Sequence, residues 1–141
     1  MRCLDGVQAM GYWLLKSEPD SYGWDDLVQG GGTEWDGVRN AAAAKHLRAM
    51  AVGDDVLIYH SGRDKAAVGL ARIARTARPD GEGDRWVSVR VEPVRPLTHP
   101  VTLAAMKAEP ALTDMAMLRQ SRLSVSPIGD AEWQVLMRMA G

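Results

Sequence analysis

Cysteine is almost missing from this sequence. Cys3 stands alone, so no internal disulfide can form and no cysteine-ligated metal site can be built. That excludes the disulfide-dense class of small domains and makes a reducing, cytoplasmic setting the default expectation. Long apolar runs are missing as well. No stretch approaches the ~20 apolar residues of a helical membrane span, so no membrane partner is expected. The first ten residues, MRCLDGVQAM, lack the apolar centre of a secretory signal. They show no periodicity and read as a loosely ordered extension, 1–10, ahead of a single domain, 11–141.

A surplus of one charge sign is lacking too. Seventeen basic side chains meet eighteen acidic ones, which argues against the broad cationic face of a non-specific duplex binder. Catalytic signatures are equally scarce. There is no G-x-S-x-G elbow, and His46, His60 and His99 show no metal-ligand spacing. Ser61 follows His60 directly, and adjacent strand residues point to opposite faces, so His60 cannot readily activate it. The Gly30-Gly31-Gly32 run lacks the Lys-Ser/Thr of a phosphate loop; it reads as the end of a short helix and a flexible connector. No enzyme activity, metal or cofactor is expected.

What the chain does have is enough apolar residue for a core. With 46% hydrophobic and 25% charged residues over 141 positions, it has the profile of one soluble globular domain. Its charges are unevenly placed. Arg39 to Arg48 and Lys65 to Arg78 are basic runs without an acid, whereas acids gather at Asp25-Asp26, Asp54-Asp55 and Asp80 to Asp84.

Two stretches, Tyr12-Trp13-Leu14-Leu15 and Val56-Leu57-Ile58-Tyr59, are apolar on both alternating faces, as strands covered on both sides must be. Each then turns polar abruptly, into Lys16-Ser17-Glu18-Pro19 and His60-Ser61. Pro19 keeps Glu18 extended. Gly23–Gln29 reads as a short helix with acids in its first turn. Asp36-Gly37 signals a turn after Trp35. Asn40 is a good N-cap for a helix over Ala41–Met50, with Ala43, Leu47 and Met50 inward and His46 at the flank. Ala66–Arg75 and Trp86–Arg95 read as strands, the second with Val87, Val89 and Val91 inward and Trp86, Ser88 and Arg90 outward. Pro93, Pro96 and Pro100 are expected to end regular pairing. Leu103–Ala108 and Ala111–Met117 read as short helices and Leu123–Val125 as a strand. A last helix, capped by Asp130, presents Trp133, Leu136, Met137 and Ala140 to the core. Short strands with a few helices and no βαβ rhythm point to an α+β fold built on a small barrel.

Polar clusters at the ends of two buried strands have the makings of a pocket for a flat polar ligand, best a nucleobase out of its stack. Trp35 and Tyr59 can stack on a ring, worth about 1–3 kcal/mol per base; Trp13 is assigned to the core. Ser17, Glu18, Asn40, His60 and Ser61 can read a base edge, and Lys16, Arg39, Lys45, Arg48 and Arg122 can meet phosphates. A plain strand end, a helix cap or a solvated charge is the bland alternative for each of them.

Four stretches, YWLLKSEPDSYGWDDL, WDGVRNAAAAKHLRAMAVGDDVLIYHS, AVGLARI and MKAEPALTDMAMLRQSRLSVSPI, together resemble the EVE domain family of the thymocyte nuclear protein type. The resemblance runs from Tyr12 to the final helix. It implies a PUA-like fold, a mixed and strongly curved β-barrel with helices around it, related to the YTH and ASCH domains. It also implies binding of DNA or RNA carrying a modified, 5-methylcytosine-like base, without catalysis or metal. Lys16, Ser17, Glu18, Pro19, Trp35, Arg39, Asn40, Tyr59, His60 and Ser61 match the family's pocket motifs. Arg119, Arg122, Leu123 and Ser124 match its C-terminal motif. The loop after Arg78 is shorter than in eukaryotic members.

The expected base pocket is therefore Ser17, Glu18, Pro19, Trp35, Asn40, Tyr59, His60 and Ser61. Its phosphate-facing rim is Lys16, Lys45, Arg39, Arg48, Arg119, Arg122 and Ser124. A monomer is expected. The competing reading from a different class is a small-molecule or protein-interaction module that uses the same pocket.

Overall fold

In a computed structural model, which describes residues 11–141, the two stretches that are apolar on both faces become neighbours. The expected extension 1–10, with Cys3, lies outside the described residues. β1 (Tyr12–Ser17) and β3 (Asp55–His60) run parallel, Lys16 opposite Tyr59 and Ser17 opposite His60. β6 (Val125–Ile128) lies antiparallel to β1. On the other side β3 pairs with β4 (Ala66–Pro79), β4 with β5 (Val87–Thr102), and β5 with the short β2 (Thr33–Trp35). Among the described residues the sheet therefore has six strands, in the order β2-β5-β4-β3-β1-β6. Its hydrogen-bonded ladder is open, with β2 and β6 as the edges, rather than a closed barrel. The α+β class stands.

Helices cover both faces. α1 (Trp24–Gly30) and α2 (Ala41–Ala49) bury Trp24, Leu27, Ala43 and Leu47 on one face, against Trp13, Leu15, Val56, Ile58 and Ile73. The other face holds Leu14, Leu57 and Tyr59. There α3 (Leu103–Ala108), a 3₁₀ turn (Pro110–Leu112), α4 (Ala116–Arg119) and α5 (Asp130–Met139) contribute Met106, Leu112, Met117, Trp133 and Leu136. Each fully buried side chain of this size stabilises by roughly 1.5–3 kcal/mol, so both sides are needed to cover strands apolar on two faces. α2 touches β4, β5 and β6, strands from opposite ends of the sheet order, so the sheet bends round this helix.

One carboxylate ties the starts of the two central strands together. Asp54 is buried and accepts the indole N–H of Trp13 at 2.9 Å and the backbone N–H groups of Gly11 at 3.1 Å and Ala51 at 2.9 Å. Gly69 on β4 faces the ring of Trp24, where a Cβ would come within 2.3 Å of it. That close approach is what glycine permits at a strand position.

Several local expectations need correction. Pro93, Pro96 and Pro100 do not end pairing: β5 continues through them to Thr102, with Pro93 opposite Ala71, Pro96 opposite Gly69 and, past Pro100, Val101 opposite Ala67. Register shifts flank both proline pairs, and bulges are where a sheet tolerates a residue without an N–H. Ser88 faces inward, not outward, because its hydroxyl donates to Glu34 at 2.8 Å. The glycine run ends α1 as expected, but as a hydrogen-bonded stop and not as a flexible connector. Gly31 adopts a left-handed φ of 69° and donates to Val28, and Gly32 donates to Leu27, the geometry of a Schellman end. β6 begins two residues later than expected. Asp130 is the first residue of α5, whose N-cap is Gly129; the Gly129 N–H is held by Glu132 at 2.8 Å.

Candidate functional site

β1 and β3 leave the sheet side by side, and because they are parallel their in-register residues share a face. Ser17 and His60 look one way, Lys16 and Tyr59 the other. Beyond Ser17 the chain turns at once. The carbonyl of Glu18 accepts the N–H groups of Ser21 and Tyr22 at 3.0 and 2.8 Å, which brings Tyr22 back over the strand end. Ser17 donates its hydroxyl to the Tyr22 carbonyl, leaving its oxygen lone pairs free to accept.

Next to this turn lies a cavity of about 390 Å³. Its lining comes from the end of β1 (Lys16, Ser17), from Tyr22, from all of β2, from the Asp36–Arg39 turn, and from Ser124 just before β6. It thus occupies the region between the two open edges of the sheet. Trp35 and Tyr22 meet edge-on, ring centres 6.4 Å apart at 85°, so two aromatic walls stand nearly perpendicular. Val38 adds an apolar patch. The arrangement can hold a flat ring against one aromatic face while hydroxyl and backbone groups meet its edge.

The mouth is held by a clamp. Asp80, just past β4, accepts from the Gly37 N–H and from the Arg39 guanidinium, each at 2.9 Å. The Arg39 hydrogen bond, and after it that of Gly37, hold the Asp80 carboxyl below the usual carboxylate range. Arg39 also lies 5.7 Å from the ring centre of Trp86, and Arg85 lies 4.6 Å from it. Glu34, behind the cavity, is bound by Arg75, by Arg78 at 3.4 Å and by Ser88. Burial, and after it the nearby guanidiniums of Arg78 and Arg90, lower the Arg75 pKa.

Of the expected base-pocket residues, Ser17 and Trp35 line this cavity; of the expected rim, Lys16, Arg39 and Ser124 do. The remainder go elsewhere, and the single cavity expected at the two strand ends is corrected accordingly. Tyr59 is buried on the opposite face. His60 accepts the Trp24 N–H on Nε2 at 3.0 Å, and its Nδ1 faces Asp64 at 3.1 Å. It caps α1 and keeps no nitrogen for a base edge. Glu18, Pro19 and Ser61 line a separate shallow depression with Arg63. Asn40 accepts the Ala43 N–H at 2.9 Å as the N-cap of α2, and it shares another depression with Arg122.

The outlying cations are placed as follows. Arg48 donates to the carbonyls of Asp84 and Arg85, bracing the β4–β5 loop. Arg119 pairs with Asp114 at 2.9 Å, and Lys45 is exposed on α2. Sequence reasoning missed Tyr22, Glu34 and Val38. The usable signal for Tyr22 was an aromatic one turn beyond Ser17-Glu18-Pro19; for Glu34 and Val38 no local signal exists.

This geometry sits in a recognisable company. Residues 11–139 match the EVE domain, and the chain belongs to the EVE domain family. Thymocyte nuclear protein 1 of Homo sapiens is 30% identical over 97% of this chain and 76% of its own length. A protein of Rhodopseudomonas palustris, solved by NMR, superposes with a TM-score of 0.89 at 46% identity, covering 94% of both chains. Human THYN1, crystallised in complex with 5-methylcytosine-containing DNA, superposes with a TM-score of 0.88 at 28% identity, covering 92% of this chain and 97% of that one.

Proposed function

We propose that this protein is a non-catalytic reader of nucleic acid that takes one 5-methylcytosine-like base into the cavity beside Trp35. The single observation that carries the reading is the convergence of Ser17, Tyr22, Trp35 and Arg39 on one 390 Å³ space, in a family whose human member was solved on methylated DNA. Trp35 supplies the stacking face, worth about 1–3 kcal/mol per base. That is comparable with the few kcal/mol needed to extrude a base from its stack. Ser17, with its proton given to Tyr22, offers an acceptor to an exocyclic amine. Val38 offers a methyl group an apolar neighbour. Arg39, at the rim, meets the flanking phosphate and positions the strand rather than reads it. A serine-based hydrolase finds no support, since both nitrogens of His60 are engaged.

Tryptophan fluorescence tests this with short single strands carrying one cytosine or one 5-methylcytosine. Quenching that is stronger for the methylated strand, weakens with salt and disappears in Trp35→Ala is the expected result. Equal quenching by both strands, or quenching unchanged in Trp35→Ala, would contradict it. Running the same pair as DNA and as RNA identifies the preferred backbone.

A further inference from the structure

The face opposite Trp35 carries a second cavity, of about 370 Å³, that the reading above leaves unused. Three lysines line it. Lys16 comes from the end of β1, Lys65 from the turn before β4 and Lys107 from α3. Among the described residues no carboxylate lines it, and none pairs with any of the three ammonium groups. Asp64 lines the adjoining depression together with Lys65 and Lys107, and its carboxylate faces His60 at 3.1 Å. The wall is apolar: Tyr59, Met117, Leu118 and Leu103. A cluster of cations over an apolar floor, with no carboxylate paired to it among the described residues, is a poor way to stabilise an empty protein surface and a good way to hold an anion with an apolar body.

Two details sharpen this. Lys16 gives a hydrogen bond to the Ser121 carbonyl at 2.6 Å and lies 5.9 Å from the Tyr59 ring centre. Burial lowers its pKa, a cost that an anion beside it would relieve. Lys65 is the one non-glycine among the described residues with a left-handed φ, 46°. Such a conformation is uncommon and strained for a lysine. The turn that imposes it is locked by the Lys65 carbonyl accepting the Leu103 N–H at 2.7 Å, which ties Lys65 to the start of α3.

We infer that this second cavity is a binding site for a phosphomonoester on a ring-bearing body, of the nucleoside 5′-monophosphate type. The three ammonium groups take the dianionic phosphate, and the wall of Tyr59, Met117 and Leu118 takes the ring. A free mononucleotide and the 5′-phosphorylated end of a strand share this chemistry. The site opens on the other face of β1 from the Trp35 cavity and shares only Lys16 with it.

Isothermal titration with adenosine 5′-monophosphate, adenosine and inorganic phosphate tests the assignment, together with a short strand bearing or lacking a 5′-phosphate. Lys65→Ala/Lys107→Ala, both exposed positions, is the variant, with thermal melting to confirm that it folds. The monophosphate should bind at least tenfold more tightly than adenosine or inorganic phosphate, and the double variant should lose at least tenfold. Binding of the monophosphate alone would assign the free nucleotide; binding of the 5′-phosphorylated strand but not its 5′-hydroxyl twin would assign the strand end. Either supports the site. Binding that ignores the phosphate, that is matched by inorganic phosphate, or that survives the double variant overturns it. Methyl-selective quenching at Trp35 should be unchanged in the double variant, so failure of one site is distinguishable from failure of the other.

Discussion

β1 and β3 end alike in sequence and differently in space. Both are buried strands that run into a polar cluster, Lys16-Ser17 in one and His60-Ser61 in the other. At the end of β1 the chain turns back, and Ser17 keeps lone pairs facing a cavity. At the end of β3, His60 is used up by the first N–H of α1 and by Asp64. A polar residue at a strand end is therefore a site residue only when the fold leaves its groups unspent. The starts of the same two strands make the point from the other side, because Asp54 has its oxygens filled by three protein donors.

The comparison can be broken most forcefully at Asp54. Asp54→Ala should cost on the order of 3 kcal/mol, since it strands the buried indole N–H of Trp13 and two backbone donors. Urea unfolding measures the loss, while the folded fraction should retain its preference for the methylated strand. Trp35→Ala should do the reverse. Binding should weaken by about 1–3 kcal/mol, roughly fivefold to 150-fold, with a much smaller shift in Tm because the side chain is only partly buried. His60→Ala should lower stability by about 1–2 kcal/mol through loss of the α1 cap and leave base selectivity intact. If selectivity vanished with His60, the distinction between spent and unspent strand ends would be wrong.

Smaller effects sharpen the account of the rim. Arg39→Ala should weaken methylated and unmethylated strands alike and reduce the salt slope of binding by about one unit. The Asp80 clamp has a depressed carboxyl pKa, so its contribution is complete above the ordinary carboxylate value of about 3.9. It is lost only as pH falls through the lower folded value. The Gly37 amide resonance should hence hold steady from neutral pH down past that value and move only in stronger acid, and Asp80→Asn should abolish the movement.

Much of the architecture was legible because its causes are local. Asn40 caps α2 with its own side chain, and the apolar spacing of Ala43 and Leu47 marks the face that α2 buries. Alternation on both faces marked β1 and β3 as central. What was illegible depends on distant partners. β2 has three residues and exists as a strand only because β5 pairs with it. Pro93 and Pro96 stay in β5 because β4 bulges opposite them. The site was half visible: Ser17, Trp35 and Arg39 carry the right chemistry in sequence. That Tyr59 and Ser17 lie on opposite faces follows only from the parallel register of β1 and β3, which no local pattern announces.

The central claim is that one face of β1, not the other, holds the base. Amide and indole resonances followed while a strand with a single 5-methylcytosine is added would test it most directly. Shifts at Ser17, Tyr22, Val38 and the Trp35 indole N–H are the outcome that agrees with this assignment. Shifts gathered instead at Tyr59, Ser61 and Leu118, with the Trp35 indole unmoved, would place the base on the wrong side of the sheet and end it.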